Sequence, residues 1–204
     1  KDIEEKNGFT SFTVEFYGAS QRVTVPTVGI HNVYDALAAF AVGYEMRMEP
    51  QKIAAGLKSF VTSGMRQRIK KVGGITVIED CYNASPDSQK AALDVLSSFK
   101  SNRRIAVLGD MLELGKYSDV SHENVGKYTE NKNIDILFTY GEKAKHIAEG
   151  AKGFVDEIKS FDDKTELVKA LLETLKDGDA VLFKASRGMK LEDVINSLYR
   201  EWEE

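Results

Sequence analysis

Residues 73–110 read GGITVIEDCYNASPDSQKAALDVLSSFKSNRRIAVLGD. A short β-rich apolar run at 75–78 gives way to a polar stretch around Pro86, then to helix-spaced residues over 87–99. A second apolar run follows at 105–108. Both runs are near-continuously apolar instead of alternating, the pattern of parallel strands covered on both faces. The alternation continues outward from this unit. It predicts a helix at 121–131, a strand at 136–139, a helix at 142–151 and a short strand at 154–158. A helix at 165–175, a strand at 180–183 and a closing helix at 191–202 complete it. Repeated β-α units of this kind predict an α/β fold: a Rossmann-like, parallel-rich sheet with helices on both faces. Gly73-Gly74 precedes its strand and reads as a turn.

Upstream of Gly64 the texture differs. Phe12, Val14 and Phe16, then Val23 and Val25, alternate with polar residues about Gly18 and predict a β-hairpin. Val33, Leu37, Phe40, Ala41 and Tyr44 share one face of a predicted helix, with Asn32 as its N-cap. A second short helix starts near Pro50 and turns Ile53 and Leu57 inward. A hairpin and two helices make a poor independent core, so this stretch is expected to be part of a larger domain.

The chain has 204 residues, 28 Lys+Arg against 32 Asp+Glu, and a net charge of −4. Its 42% hydrophobic content is that of an ordinary globular chain and excludes a disordered scaffold. The acidic balance argues against a general nucleic-acid binder, which needs a basic face. The longest apolar run, 36–42, falls far short of the roughly 20 residues of a membrane span. No charged-then-apolar leader opens the chain, so a cytoplasmic protein is expected. One cysteine, Cys81, allows neither an internal disulfide nor a thiolate zinc cluster and reads as a reducing-compartment thiol. Lys1 stands where an initiator Met would, which suggests processing or a cut from something longer.

Ligands of doubly wound sheets bind beyond the carboxyl ends of the strands. Three predicted strands end in polar clusters: IEDCYNASPDS, LGDMLELG and FKASRGMKLE. They supply carboxylates (Glu79, Asp80, Asp110, Glu113), an amide (Asn83) and two cations (Lys184, Arg187). Carboxylates suit ribose hydroxyls or a metal-bound phosphate, and Lys and Arg suit phosphate or carboxylate. Taken singly, each is a loop charge or a cap; Asp87 after Pro86 is most simply a helix-start charge. No GxGxxG follows a strand, and no GxxxxGK[ST], HExxH or nucleophile-elbow pattern occurs. The residues alone thus lead to an anion- and nucleotide-compatible sheet edge.

Five segments in order carry a resemblance: GIHNVYDALAAFAVG (29–43), GMRQRIKKVGGITVIEDCYNASPDS (64–88), RIAVLGDMLELG (104–115), SHENVG (121–126) and VLFKASRGMKLE (181–192). Together they resemble the Mur ligase family, within it the branch that adds D-alanyl-D-alanine (D-Ala-D-Ala) to UDP-N-acetylmuramoyl-tripeptide (UDP-MurNAc-tripeptide) in peptidoglycan synthesis. The resemblance implies three domains. Residues 1–64 would close the central ATP-binding domain, 65–204 would form the C-terminal Rossmann-like domain, and the phosphate loop would lie outside these residues. It implies ATP and Mg2+ as cofactors, an acyl phosphate on the tripeptide carboxylate, and attack by the incoming amine. The partners would be ATP, UDP-MurNAc-tripeptide and D-Ala-D-Ala, bound by a monomer; this chain alone would be inactive.

By position, the resemblance gives catalytic roles to Arg68 and Lys184. Nucleotide contacts fall to His31, Asn32, Asp35, Arg68, Asp80 and Asn83, and substrate contacts to Asn83, Lys184, Ser186 and Arg187. No metal ligand is expected here. Arg68 would neutralise phosphate and Asp80 would accept from the ribose hydroxyls. His122 also matches a family position and reads equally as an exposed helix-cap histidine. Asp35, Glu79, Ser85 and Ala185 depart from the commoner Asn, Asp, Asn and Gly. A carboxylate at 35 only accepts, where an amide also donates. The alternatives are a non-catalytic nucleotide- or peptide-binding module, or a related ligase with another amino-acid substrate. A Rossmann oxidoreductase is disfavoured by the missing glycine fingerprint.

Overall fold

The computed structural model describes every residue except Asn7, Ser63 and Glu204, together with the side chain of Glu203. The chain divides into two units, Lys1–Thr62 and Ser63–Glu204.

In the first unit, β1 (Glu4–Lys6), β2 (Phe9–Phe16) and β3 (Ala19–Val25) form an antiparallel sheet followed by α1 (Ile30–Glu45) and α2 (Pro50–Lys58). The hairpin turns at Tyr17-Gly18, since Phe16 pairs with Ala19. Phe12, Val14, Val23 and Val25 pack on Val33, Ala36, Phe40 and Ile53, so the predicted apolar faces do meet. Asn32 is not the N-cap of α1. That place belongs to Gly29, whose φ of 107° suits glycine and starts the helix earlier. Asn32 lies in the first turn, where its side-chain amide donates to the Val28 carbonyl at 2.8 Å.

The second unit runs β4 (Arg68–Val72), β5 (Ile75–Glu79), α3 (Pro86–Ser98), β6 (Arg104–Gly109), α4 (Ser118–Lys127) and β7 (Ile136–Tyr140). It continues with α5 (Lys145–Gly150), β8 (Glu157–Phe161), α6 (Lys164–Thr174), β9 (Ala180–Lys184) and α7 (Glu192–Glu203). The strand order is β4-β5-β9-β6-β7-β8. All neighbours pair in parallel except β4, which returns antiparallel on β5 through the expected Gly73-Gly74 turn. Strand β4 escapes apolar patterning because its sequence, RIKKV, is that of a charged edge strand. The fourth predicted strand lies further along than 154–158, because a short turn closed by an isolated bridge between Lys152 and Val155 precedes Glu157.

Helices α3, α4 and α5 pack side by side, and α6 packs on α7. The sheet therefore has a helical layer on each face, as right-handed crossovers require when β9 returns to the middle. Val77, Val107, Phe138, Val181 and Phe183 meet Leu167, Leu171, Val194 and Leu198 in one core. Strand residues alternate between faces, so Glu79 falls with this core while Asp80 and Lys184 belong to the opposite face. At the start of α3, the Ser85 side chain and Ser88 form a reciprocal cap, with Pro86 next and Asp87 in the first turn. Asp87 is thus the helix-start charge its position suggests.

Helices α4 and α5 approach backbone to backbone. A Cβ on Gly126 would sit 2.1 Å from the Ile147 carbonyl oxygen. Gly126→Ala is accordingly expected to cost about 1–3 kcal/mol by forcing the helices apart. Urea denaturation reads this directly; an unchanged midpoint would contradict the close approach.

Candidate functional site

Strands β5 and β9 are parallel neighbours in register, Glu79 opposite Phe183, so the residues just beyond them emerge side by side. This pairing joins Asp80 to Lys184. The Lys184 ammonium is buried, with a side-chain exposure of 3%, and donates to Asp80 Oδ2 at 2.7 Å. It also donates to the Asn83 carbonyl at 3.1 Å. Asp80 Oδ1 accepts from the Gln67 backbone N–H at 3.1 Å, and its side chain stays 19% exposed. An ionised carboxylate offers about four lone-pair sites, so Asp80 can still accept from a diol. Asn83 uses its side-chain oxygen locally, accepting from the Ala84 N–H at 2.9 Å, and so shapes the loop.

Ser186 is buried. Its hydroxyl accepts from the Leu112 N–H at 2.9 Å and lies 3.5 Å from the Ala84 carbonyl, while its own N–H donates to the Asp110 carbonyl at 3.0 Å. Its hydroxyl is thus occupied by the fold. Arg187 instead projects outward, 3.3 Å from Glu192 Oε1 and 5.7 Å from the Tyr82 ring centre. Arg66 covers the same ring at 4.2 Å. Arg66 and Tyr82 were not singled out from the sequence. Their signal sat in GMRQR and CYNA, but spacing cannot tell which of two nearby arginines turns toward the strand ends.

Arg68 turns elsewhere. Its guanidinium lies 3.9 Å from Glu79 Oε2, on the α7 face and across the sheet from Asp80 and Lys184. Glu79 is fully buried, and its Oε1 accepts from the Tyr199 hydroxyl at 2.5 Å and from Lys70 at 2.9 Å. Burial, reinforced by this bond to Glu79, pushes the Tyr199 hydroxyl pKa up. Cys81 is also buried, and desolvation, with the charges of Glu192, Glu79 and Asp80 adding, pushes its thiol up to about 12. It is a protonated, inert thiol, not a nucleophile.

His122 is not an exposed cap: it is completely buried. Its Nε2 accepts from the Met111 N–H at 2.9 Å, and its Nδ1 lies 2.7 Å from the Ser118 carbonyl. A ring that accepts at Nε2 and faces a carbonyl at Nδ1 is neutral, with its proton on Nδ1. Burial pushes its pKa below the usual histidine value. Asp110 ties the loop after β6 to the one after β7, accepting from the Ala144 N–H at 2.7 Å. Glu113 is exposed on the same loop.

His31, Asn32 and Asp35 belong to the first unit, on the opening turns of α1. His31 Nε2 and the Asn32 side-chain nitrogen are 3.1 Å apart, and Asp35 is exposed. Among the described residues no group of three His, Cys, Asp or Glu side chains is arranged to hold a metal ion. Nor is any described helix long and apolar enough to cross a membrane.

The parallel-rich sheet with its polar carboxyl edge coincides with a known family. The Mur ligase, glutamate ligase domain matches residues 65–187, and the chain belongs to the Mur ligase family. It is 40% identical over 202 residues to the UDP-N-acetylmuramoyl-tripeptide--D-alanyl-D-alanine ligase of Bacillus subtilis, covering 97% of this chain and 44% of that protein. The Escherichia coli ligase of the same name is 32% identical over 192 residues, covering 93% and 41%. Among solved structures, MurF from Acinetobacter baumannii superposes with a TM-score of 0.87 at 27% identity, covering 98% of this chain and 44% of that one. The MurF ligase of Thermotoga maritima in complex with ADP gives 0.84 at 26% identity, covering 100% and 46%. The chain spans less than half the length of each of these relatives.

Proposed function

We propose that this chain is part of an ATP-dependent ligase that joins D-Ala-D-Ala to UDP-MurNAc-tripeptide in the cytoplasm, acting as a monomer. Residues 1–64 close its ATP-binding domain and 65–204 form its C-terminal domain. One observation carries the reading: adjacent parallel strands deliver an acceptor carboxylate, Asp80, and its buried Lys184 partner to the carboxyl edge. Beside them stand the exposed cations Arg66 and Arg187 around Tyr82. The reading is supported by the Bacillus subtilis relative, a UDP-N-acetylmuramoyl-tripeptide--D-alanyl-D-alanine ligase, and by the Thermotoga maritima ligase in complex with ADP.

The donor set fits part of a nucleotide. Asp80 keeps lone pairs for the two ribose hydroxyls, and Lys184 and the Gln67 N–H hold the carboxylate still. His31, Asn32 and Asp35 are proposed as nucleotide contacts of the first unit. The bound ATP supplies the phosphoryl group that activates the tripeptide carboxylate as an acyl phosphate. Mg2+ is proposed to accompany ATP, with most of its ligands in the part of the protein beyond these residues.

For the incoming dipeptide, Arg187 and Arg66 offer planar forks that match a carboxylate. Lys184 and Ser186 act through the loops they hold: Lys184 through Asp80 and the Asn83 carbonyl, Ser186 through Leu112 and Asp110. Arg68 is also exposed but lies 3.9 Å from Glu79 on the opposite face, so Arg66, already at the Tyr82 ring with Arg187, takes the larger share of the anionic contacts, dipeptide carboxylate and phosphate alike.

The longer protein, given ATP, UDP-MurNAc-tripeptide and D-Ala-D-Ala, is expected to release ADP and phosphate with the pentapeptide product. No product with the dipeptide, but product with a single amino acid, would assign it to another branch of the family. The 204-residue chain by itself is expected to hydrolyse no ATP, because no phosphate-loop pattern occurs in it. Phosphate release above the protein-free blank would overturn that.

A further inference from the structure

We infer that His122 is a positioning residue for the substrate loop, acting through the backbone of Met111 and Leu112. This rests on the reading of Arg187 as a contact for the incoming dipeptide. Two consecutive peptide N–H groups in the loop after β6 donate to different elements. Met111 donates to His122 Nε2 on α4 at 2.9 Å, and Leu112 donates to Ser186 Oγ beyond β9 at 2.9 Å. Ser186 in turn donates its N–H to the Asp110 carbonyl at 3.0 Å and brings its hydroxyl within 3.5 Å of the Ala84 carbonyl. The buried imidazole thus stands at the head of a relay that joins the loops after β5, β6 and β9. Arg187 is the next residue on the last of these.

The relay needs an acceptor at Nε2. Without one, the Met111 N–H, in a residue only 1% exposed, has no partner and the peptide must reorient to find one. The Leu112 N–H shares the Met111 dihedrals and moves with it, so Ser186 loses its donor. The Nδ1 bond to the Ser118 carbonyl fixes the ring plane, as a metal-free counterpart of an oriented histidine ligand. A glutamine at this position can place its carbonyl oxygen near the site of Nε2, whereas leucine offers no acceptor.

Hydrogen exchange on this chain tests the relay. His122→Leu is expected to speed exchange of both the Met111–Leu112 amides and the Ser186 amide by about ten-fold or more, with His122→Gln restoring most of the protection. Acceleration confined to Met111 and Leu112, or equal in both variants, would overturn the inference. Should His122→Leu fail to fold, Ser186→Ala reads the same link from the other end: faster exchange of the Met111 amide, which Ser186 does not touch, supports the relay and unchanged Met111 exchange refutes it. In the longer ligase, His122→Leu is expected to raise KM for D-Ala-D-Ala about ten-fold while KM for ATP stays within about two-fold, and His122→Gln recovers most of the difference. An unchanged dipeptide KM in His122→Leu counts against the positioning role. Arg187→Ala is the separate control: if it leaves that KM unchanged, the reading of the substrate site fails, while the exchange data still judge the relay.

Discussion

Asp80→Ala is expected to destabilise the second unit by about 3–5 kcal/mol, the cost of leaving a buried charge without its partner. Lys184 is almost wholly enclosed, and Asp80 is its counter-ion at 2.7 Å. With the carboxylate gone, the ammonium keeps the Asn83 carbonyl at 3.1 Å and the Asp80 carbonyl at 3.5 Å, neither of which carries a full charge. Surface ion pairs contribute much less, because water replaces the lost partner. Here the burial of Lys184 denies that replacement. Chemical denaturation of the 204-residue chain measures the effect, and Asp80→Ala/Lys184→Met should recover much of the loss by removing the stranded charge. If the single variant were as stable as the parent, the pair would not be the anchor of this edge. In the proposed longer ligase, Asp80→Asn keeps one acceptor oxygen and should raise KM for ATP; an unchanged constant argues against the ribose contact.

Arg66→Ala is expected to lower kcat/KM of the proposed longer ligase by about 10–100-fold, the kinetic equivalent of losing a charge-assisted hydrogen bond worth about 1.5–3 kcal/mol. Arg68→Ala is expected to cost less. The reason is geometric: Arg66 lies exposed on the Tyr82 ring near Arg187, whereas Arg68 faces the buried Glu79 on the other side of the sheet. Arg66 and Arg187 stand 4.2 and 5.7 Å from the Tyr82 ring centre, and an anion bound beside that ring would be attracted by both. Steady-state kinetics of the two single variants, with both substrates varied, separates the roles. A larger loss for Arg68→Ala would mean that its side chain swings away from Glu79 in the working enzyme and would return the phosphate role to it.

The local elements were largely legible because each has its own periodicity. The runs at 75–78, 105–108, 136–139 and 180–183 fall inside β5, β6, β7 and β9, and the helices between them follow the 3.6-residue spacing of their apolar faces. Strand β4 was not legible, since Arg68, Lys70 and Lys71 mask an edge strand whose ladder is supplied by β5. The start of α1 was misplaced because a glycine with positive φ competes as a cap with the more familiar Asn32. Cys81 reads from the sequence as a reducing-compartment thiol, and its burial and inertness came only from the fold.

By itself the sequence determined the succession of strands and helices from β5 onward, the polar character of the strands' carboxyl ends, and the family to which the chain belongs. These are properties of short windows and of motif order, and neither requires knowing which strands touch. Tertiary structure alone decided that β9 inserts between β5 and β6, which brings Lys184 to Asp80 across 104 residues of chain. It also decided that Ser186 and His122 face inward and that Arg66, not Arg68, lies over Tyr82. Strand order is a non-local choice, set by how the two helical layers cover the sheet. Side-chain direction follows from it, because one step along a strand moves a residue to the opposite face.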